Sequence, residues 1–400
     1  MNYSKQEVTE YILSEDIKFV KLAFCDVFGV QKNISVLSGE IKKAFESGIA
    51  IDASAITGFG SAVHSDLFLR PDPHTLSVLP WRPEHGRVVR MFCDITYADG
   101  TPFENDTRNI LKKAVSAAAK SGIEFRFSSR LEFYLFKTDE FGNPTKQPYD
   151  TAGYMDIAPE DKGENVRREI CLTLEQMGIT PEFSHHEEGP GQNEIDFAAS
   201  DPVVAADNAI TYKSVVRTVA ARNGLYADFS PKPLVGNPGN GFHIGFSVFK
   251  DGKNVTRKAI AGVLSKVDEM TAFLNPTANS YERLGRWKAP KYIAYSLENY
   301  SQLMRVFCAG DEIVKAVLRS PDSSANPYLA FALIVFAGMQ GVDNNFVLPQ
   351  PCSTDLNSGF KEENSDYKAL PASIDEAKKV AKSGFADKVL PRMLTDVYFK

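Results

Sequence analysis

The stretch His185-His-Glu-Glu-Gly-Pro-Gly-Gln-Asn-Glu-Ile-Asp-Phe197 decides the fold. Gly189-Pro-Gly191 is a turn signal between two runs, so His186 to Phe197 is expected to fold back on itself as a hairpin. A hairpin joins antiparallel strands, and a sheet grown from one is predominantly antiparallel. The same hairpin is expected to set Glu187 on one strand beside Glu194 on the other, where two like charges are destabilising unless a cation sits between them. In Leu131-Glu-Phe-Tyr-Leu-Phe136, alternation places Leu131, Phe133 and Leu135 on one face and Glu132 on the other. Three strand-borne carboxylates without a sulfur ligand suit Mg²⁺ or Mn²⁺ rather than zinc. The bland reading, that these glutamates face solvent or pair with Arg and Lys, has equal standing on spacing alone.

Outward from this centre, Ser4-x-x-Glu7 reads as a capping box, Lys18 to Phe28 and Val88 to Ile95 as strands, and Asp106 or Thr107 as the cap of a helix. Helices are expected at Pro202 to Arg222, at Thr256 to Phe273 and after Asn326-Pro327, where Asn caps and Pro suits the first turn. The class is α+β. A length of 400 residues exceeds one ordinary core, and the boundary is placed near residue 100, giving units 1–100 and 101–400. His185 and His186 send one ring to each face of a strand, and one of them is expected to be a satisfied core histidine. His243 ends Lys232-Pro-Leu-Val-Gly-Asn-Pro-Gly-Asn-Gly-Phe-His243, whose glycines let backbone approach a ligand. Such a turn is by itself usually only a loop.

Composition excludes several classes. Apolar residues make up 43% and charged residues 24%, as in soluble globular proteins. With 45 Lys+Arg against 51 Asp+Glu the net charge is −6 and no basic block appears, which argues against nucleic acid and anionic membrane as partners. The 5 cysteines show no CxxC spacing and are expected to be reduced, buried hydrophobes. The apolar run Tyr328 to Met339 is too short for a membrane span. A cytoplasmic location is expected.

Further motifs carry more information: Ile51-Asp-Ala-Ser-Ala-Ile56 with His64-Ser-Asp66, Gly100-Thr-Pro-Phe-Glu104, DPVVAADNAITYK from Asp201, KPLVGNPGNGFHIGFS from Lys232, NPTANSYERL from Asn275 and PDSSANPYLAFA from Pro321. In this order, with the two stretches quoted first, they resemble the glutamine synthetase family over about residues 15 to 385, as a divergent member. The resemblance implies an N-terminal β-grasp domain, a catalytic domain on a curved antiparallel sheet, and a homo-oligomeric ring of six subunits or two such rings stacked. It implies a ligase that uses ATP and divalent metal, forms an acyl phosphate and lets an amine displace the phosphate. By the same resemblance Glu132, Glu187 and Glu194 hold the metal. Arg283 clamps the substrate α-carboxylate, Arg305 and Arg319 stand near the phosphates, Lys232, Gly239, Gly241 and His243 belong to the ATP site, and Asp52 binds ammonium across a subunit interface.

The departures from the family pattern carry equal weight. Arg130 and Val317 stand where the family places two glutamates of its ATP-side metal, leaving only His243 of the three ligands. Lys288 aligns with the flap glutamate that deprotonates ammonium, and Tyr300 with an arginine that contacts phosphate. Arg130 is therefore expected to replace that metal as a phosphate clamp, and Lys288 to disfavour ammonium relative to a larger amine. The expected function is ligation of glutamate, or a relative, to ammonia or to another amine. The alternatives are a catalytically silent structural or regulatory oligomer, and a metal enzyme that reuses the carboxylate triad without ATP.

Overall fold

The structure, a computed structural model, describes residues 3–60, 65–82, 85–356 and 367–400; His64 of the sequence motif lies outside them. Strands β1 (Ile17–Cys25), β2 (Gln31–Leu37), β3 (Ile49–Asp52), β4 (Asp66–Pro71), β5 (Ser77–Val78) and β6 (Arg87–Thr96) form one sheet in the order β2-β1-β6-β4-β3, with β5 beside β6. Within it β1 and β6 run parallel. Helices α1 (Lys5–Ser14), closed by the expected Ser4–Glu7 capping box, and α2 (Ile41–Glu46) accompany it.

The second sheet has ten strands: β7 (Ile123–Thr138), β8 (Pro144–Pro148), β9 (Pro181–His186), β10 (Gln192–Ser200), β11 (Leu225–Asp228), β12 (Phe242–Lys250), β13 (Lys253–Asn254), β14 (Tyr295–Ser296), β15 (Met304–Ala309) and β16 (Glu312–Leu318). Its main path is β14-β15-β16-β12-β7-β10-β9, strongly curled and antiparallel except at β14–β15. The α+β class is thus observed, as a smaller sheet with one parallel pair followed by a larger, predominantly antiparallel one.

The remaining helices are α3 (Thr107–Lys120), α4 (Glu164–Gln176), α5 (Pro202–Arg222), α6 (Thr256–Leu264), α7 (Val267–Leu274), α8 (Ala278–Arg283), α9 (Pro327–Asp343), α10 (Ile374–Ala381), α11 (Phe385–Val389) and α12 (Arg392–Tyr398). Helices α3 and α5 pack on β7, α6 on β12, and α9 against α3, α5 and α6. Alternation in β7 makes this possible: Phe125, Phe127, Leu131, Phe133 and Leu135 are buried toward the core, and Phe127 stacks on Phe331 of α9 with ring centroids 4.4 Å apart. The opposite face is left free to carry Arg130 and Glu132. Helix α9 is apolar all round because it lies inside the protein, and among the described residues no helix is long and apolar enough to cross a membrane.

The junction between the sheets is polar where it bears most charge. Arg108 on α3 is almost wholly buried and donates to Asp207, Asp94 and Asp72, which lie on α5, on β6 and just after β4. A buried guanidinium is tolerated only with such full pairing. Gly29 also fixes the junction: its φ is +77°, and a Cβ there would stand 2.9 Å from the Asn326 backbone.

Three expectations need correction. The helix expected over Thr256 to Phe273 is two helices broken at Ser265-Lys266, because α7 turns away to pack on α10. Cys308 is exposed and Cys171 partly so, although Cys25, Cys93 and Cys352 are buried as expected and all five are free thiols. The hairpin register also differs: Glu194 lies opposite His185 on β9 and opposite Glu132 on β7, while Glu187 stands just past the end of β9, its N–H donating to the Gln192 carbonyl.

Candidate active site

On the polar face of the large sheet lies a cavity of about 300 Å³. Strands β7 and β10 deliver Glu132 and Glu194 to it as cross-strand partners, and the hairpin mouth adds Glu187. Glu132 is largely but not fully buried, its side chain 12% exposed, and it is well satisfied: Gly241 N–H donates to its Oε2 at 2.6 Å, and His243 Nε2 lies 3.0 Å from its Oε1. Burial alone would raise its pKa, but the bond and charge of His243, with Arg283 and Gly241 behind them, bring it down to about 2. Glu187 fares oppositely. Burial and then repulsion from Glu132 and Glu194 push it up to about 8.

The crowded charge is partly met by His185, whose Nε2 is 3.3 Å from Glu194 and Nδ1 3.6 Å from Glu187. Burial works against its protonation, yet these carboxylates raise it to about 9. Ligand atoms of Glu132, Glu194 and His243 lie within 4.8 Å of one another, and so do those of His185, Glu187 and Glu194. Glu194 joins the two groups. An oxygen-rich donor set whose members repel one another fits a hard divalent cation.

His186 is the satisfied core histidine. It is fully buried between Asp150, 2.9 Å from its Nε2, and the Glu187 carbonyl, 2.7 Å from its Nδ1. Asp150 also accepts from Gly191 N–H, so the pair pins both ends of the turn that carries Glu187. No local sequence pattern marks Asp150 for this task.

Arg130 sits beside Glu132 on the same face. Its Nη2 is 2.8 Å from Asp196 and its Nη1 3.6 Å from Glu194. His243 is its partner on β12, and Val317 follows on β16 opposite Gly245. The three positions expected to replace or retain a metal ligand are therefore neighbours across three strands. His243 Nδ1 is buried without a partner, and burial followed by the nearby Arg319 lowers its pKa.

The far wall carries Arg283 and Arg319. Arg283 donates to the carbonyls of Ser320 and Arg319 at 2.9 and 3.1 Å, which fixes its guanidinium in the cavity wall. Burial lowers Arg319 to about 10, and it remains a cation at neutral pH. The glycine loop closes one side for steric reasons: a Cβ on Gly239 would lie 2.3 Å from the Pro231 carbonyl, and one on Gly241 2.6 Å from His243 Cε1. Lys288 lines the rim, but its ammonium is 2.5 Å from Glu188 and lies 5.2 Å from the Tyr154 ring centre. The repulsion of ammonium expected from Lys288 is correspondingly offset by a carboxylate that the sequence reading did not pair with it.

Of the other expected residues, three stand back from the cavity. Lys232 ties the loop down by donating to the Asn237 carbonyl. Arg305 stacks 3.5 Å from the ring centre of Tyr300, which itself lines the cavity. Asp52 ends β3 on the smaller sheet, exposed, accepting from Ser54 N–H. Tyr154, Glu188, Gln192 and Trp287 line the cavity and were missed. Gln192 adjoins the glutamates in sequence and could have been found, since its Nε2 donates to the Gly239 carbonyl at 3.2 Å.

The family model described as "Glutamine synthetase, catalytic domain" matches residues 104–400, and "Glutamine synthetase, beta-Grasp domain" matches residues 16–98. The chain is 40% identical over 391 residues to a glutamine synthetase of Clostridium saccharobutylicum, covering 94% of this chain and 88% of the relative. It is 41% identical over 390 residues to one of Methanosarcina mazei, covering 94% and 87%. Among solved structures it is similar to one titled "GmaS/ADP complex-Conformation 1", with TM-score 0.87, 27% identity, and coverage of 98% of this chain and 94% of that one.

Proposed function

Because the chain belongs to the glutamine synthetase family of ATP-dependent ligases, we propose that it joins glutamate, or a close relative, to an amine larger than ammonia through an acyl phosphate. One observation carries this reading: the acidic group Glu132, Glu187 and Glu194 faces Arg283 and Arg319 across a single cavity. A carboxylate substrate can lie between them, its α-carboxylate on Arg283 by a charge-assisted pair.

The glutamates fit Mg²⁺ or Mn²⁺, because burial and mutual repulsion hold Glu187 protonated to about pH 8 until a cation shares the charge. When bound, such an ion supplies Lewis acidity and neutralises developing phosphate charge. A second ion has no comparable donors among the described residues on the ATP side of this cavity. Where the family pattern places it, this chain offers Arg130, Val317 and one buried imidazole, and a guanidinium repels a divalent cation. Arg130 takes the phosphate role instead, bidentate and permanently charged. The Lys232–His243 loop, with Gly239 and Gly241 admitting close backbone approach, flanks the nucleotide; the ADP in the related structure's title supports nucleotide use.

Lys288 and Glu188 gate the amine side. An amine bearing its own acidic group can exchange with Glu188 on Lys288, whereas ammonium has nothing to offer that cation. Asp52 lies away from its own chain's cavity, in keeping with a homo-oligomer in which a neighbour's Asp52 completes each site. Phosphate release measured with ATP and Mg²⁺ against a panel of amines and amino acids tests this. Faster turnover with an acidic amine than with ammonium is expected, at one divalent ion per site. Equal or better turnover with ammonium refutes the amine assignment, two ions per site refutes the role of Arg130, and no release with any amine turns the reading to a silent oligomer.

A further inference from the structure

A second cavity, about 140 Å³, lies between the smaller sheet and α5. It is well below the roughly 300–1,000 Å³ of sites for drug-sized ligands, so its occupant is small. Lys21, Arg82 and Arg90 line it, and among the described residues no carboxylate does. Lys21 on β1 and Arg90 on β6 are paired positions on neighbouring strands and share a face. Like charges directly opposite one another are destabilising and call for a counter-ion.

Arg90 is the unusual member. It is only 7% exposed, its Nη1 donates to Thr211 at 2.7 Å, its guanidinium lies 4.2 Å from the Phe92 ring centre, and its buried Nε has no partner. Asp207, whose charge it feels, already accepts three bonds from Arg108 and one from Tyr328. An almost buried guanidinium without a carboxylate of its own is costly to hold. Burial lowers its pKa to about 10, and repulsion by Arg82 adds to burial in lowering that of Lys21. Asn33 and Ser214 add amide and hydroxyl groups around the three cations.

We propose that this cavity binds a small oxyanion, a phosphate or a short dicarboxylate, held by Lys21, Arg82 and Arg90 and bridging the smaller sheet to α5. The fork of Arg90 suits two oxygens of one group, and Lys21 and Arg82 supply point and bidentate charge at the mouth. The site shares no lining residue with the cavity proposed for ligation.

The protein has 2 tryptophans, and each marks one cavity: Trp81 lines this one and Trp287 the other. In Trp287→Phe, emission therefore reports Trp81 alone. Titration with sodium phosphate and with sodium succinate, at ionic strength matched by sodium chloride, is expected to give a saturable change that chloride does not produce. Whichever anion saturates at lower concentration identifies the class. Lys21→Gln, at a partly exposed position, and Arg82→Gln, at an exposed one, introduced separately, are each expected to raise the half-saturation about tenfold, the loss of one charge-assisted bond. Absence of a saturable change with both anions, or half-saturation unchanged in both variants, overturns the proposal.

Discussion

Replacing Arg130 by Met separates the two ligands of the active site, because its charge opposes one and favours the other. The guanidinium stands 3.6 Å from Glu194 and 2.8 Å from Asp196. At an effective dielectric of 20 a unit pair at the longer distance interacts by roughly 4–5 kcal/mol. The Arg130 side chain is 34% exposed and divides its charge between two acids, so less than half of that, about 1.5–2 kcal/mol, is a fair figure for its hold on Glu194. Releasing Glu194 should tighten divalent binding by about ten- to thirtyfold. Asp196 does not absorb the gain, since burial and then Glu194 already raise it to about 7 and losing Arg130 raises it further. Nucleotide, by contrast, loses a charge-assisted contact and should bind about tenfold more weakly. Calorimetric titration of chelator-stripped protein with Mn²⁺, then with ADP at saturating Mn²⁺, reads both constants. Movement of the two in the same direction, or an unchanged ADP constant, would refute the assignment of Arg130 as phosphate clamp.

Gly241→Ala should lower the thermal midpoint by a few degrees and weaken Mn²⁺ binding, because the new Cβ would stand 2.6 Å from His243 Cε1 and 2.9 Å from Arg283 Nη2, both on buried side chains; an unchanged midpoint in scanning calorimetry contradicts this. Lys213 on α5 is buried, its Nζ donating to the Ser323 carbonyl at 2.6 Å, and burial lowers its pKa from 10.5 to about 8. The folded protein thus gives up this proton before the unfolded chain does, so the penalty stands below about pH 8 and is relieved as pH rises toward 10.5. Over that window the stability of the wild-type protein relative to Lys213→Met should rise by up to about 3 kcal/mol, measured by denaturant melts at each pH; a difference that stays flat refutes it.

How much of this was legible in the sequence depends on the distance over which each feature is determined. Helix α5 was read to the residue, since Pro202 opens it and Arg222-Asn-Gly224 closes it locally. The Gly189-Pro-Gly191 turn was equally local, but its register was not. The turn takes up Glu187 and Glu188, so His185 rather than Glu187 faces Glu194. Nothing in the spacing distinguishes a hairpin closed at residue 187 from one closed two residues later. The break at Ser265-Lys266 has a tertiary cause, the packing of α7 on α10, and an unbroken helical period runs across it. Glu188 and Lys288, or Asp150 and His186, are separated too far in sequence for any local pattern to pair them. What reached across such distances was the family resemblance, which placed Glu132, Glu187, Glu194, Arg283 and Arg319 on one cavity and said nothing of the partners that tune them.

The two cavities follow one rule with opposite sign. In the large sheet Glu132 and Glu194 are register partners on β7 and β10; in the small one Lys21 and Arg90 are register partners on β1 and β6. Each pair places like charge on one face, and each is enclosed enough that water cannot screen it fully. The acidic pair responds through Glu187, pushed up to about 8, and through His185, drawn up to about 9 as an internal counter-ion. The basic pair has no counterpart to His185 among the described residues lining its cavity. A cation therefore competes with an imidazolium at the first site, whereas an anion at the second meets no internal counter-ion among the described lining residues. The basic site is the less compensated of the two, although a net charge of −6 for the whole chain points the other way.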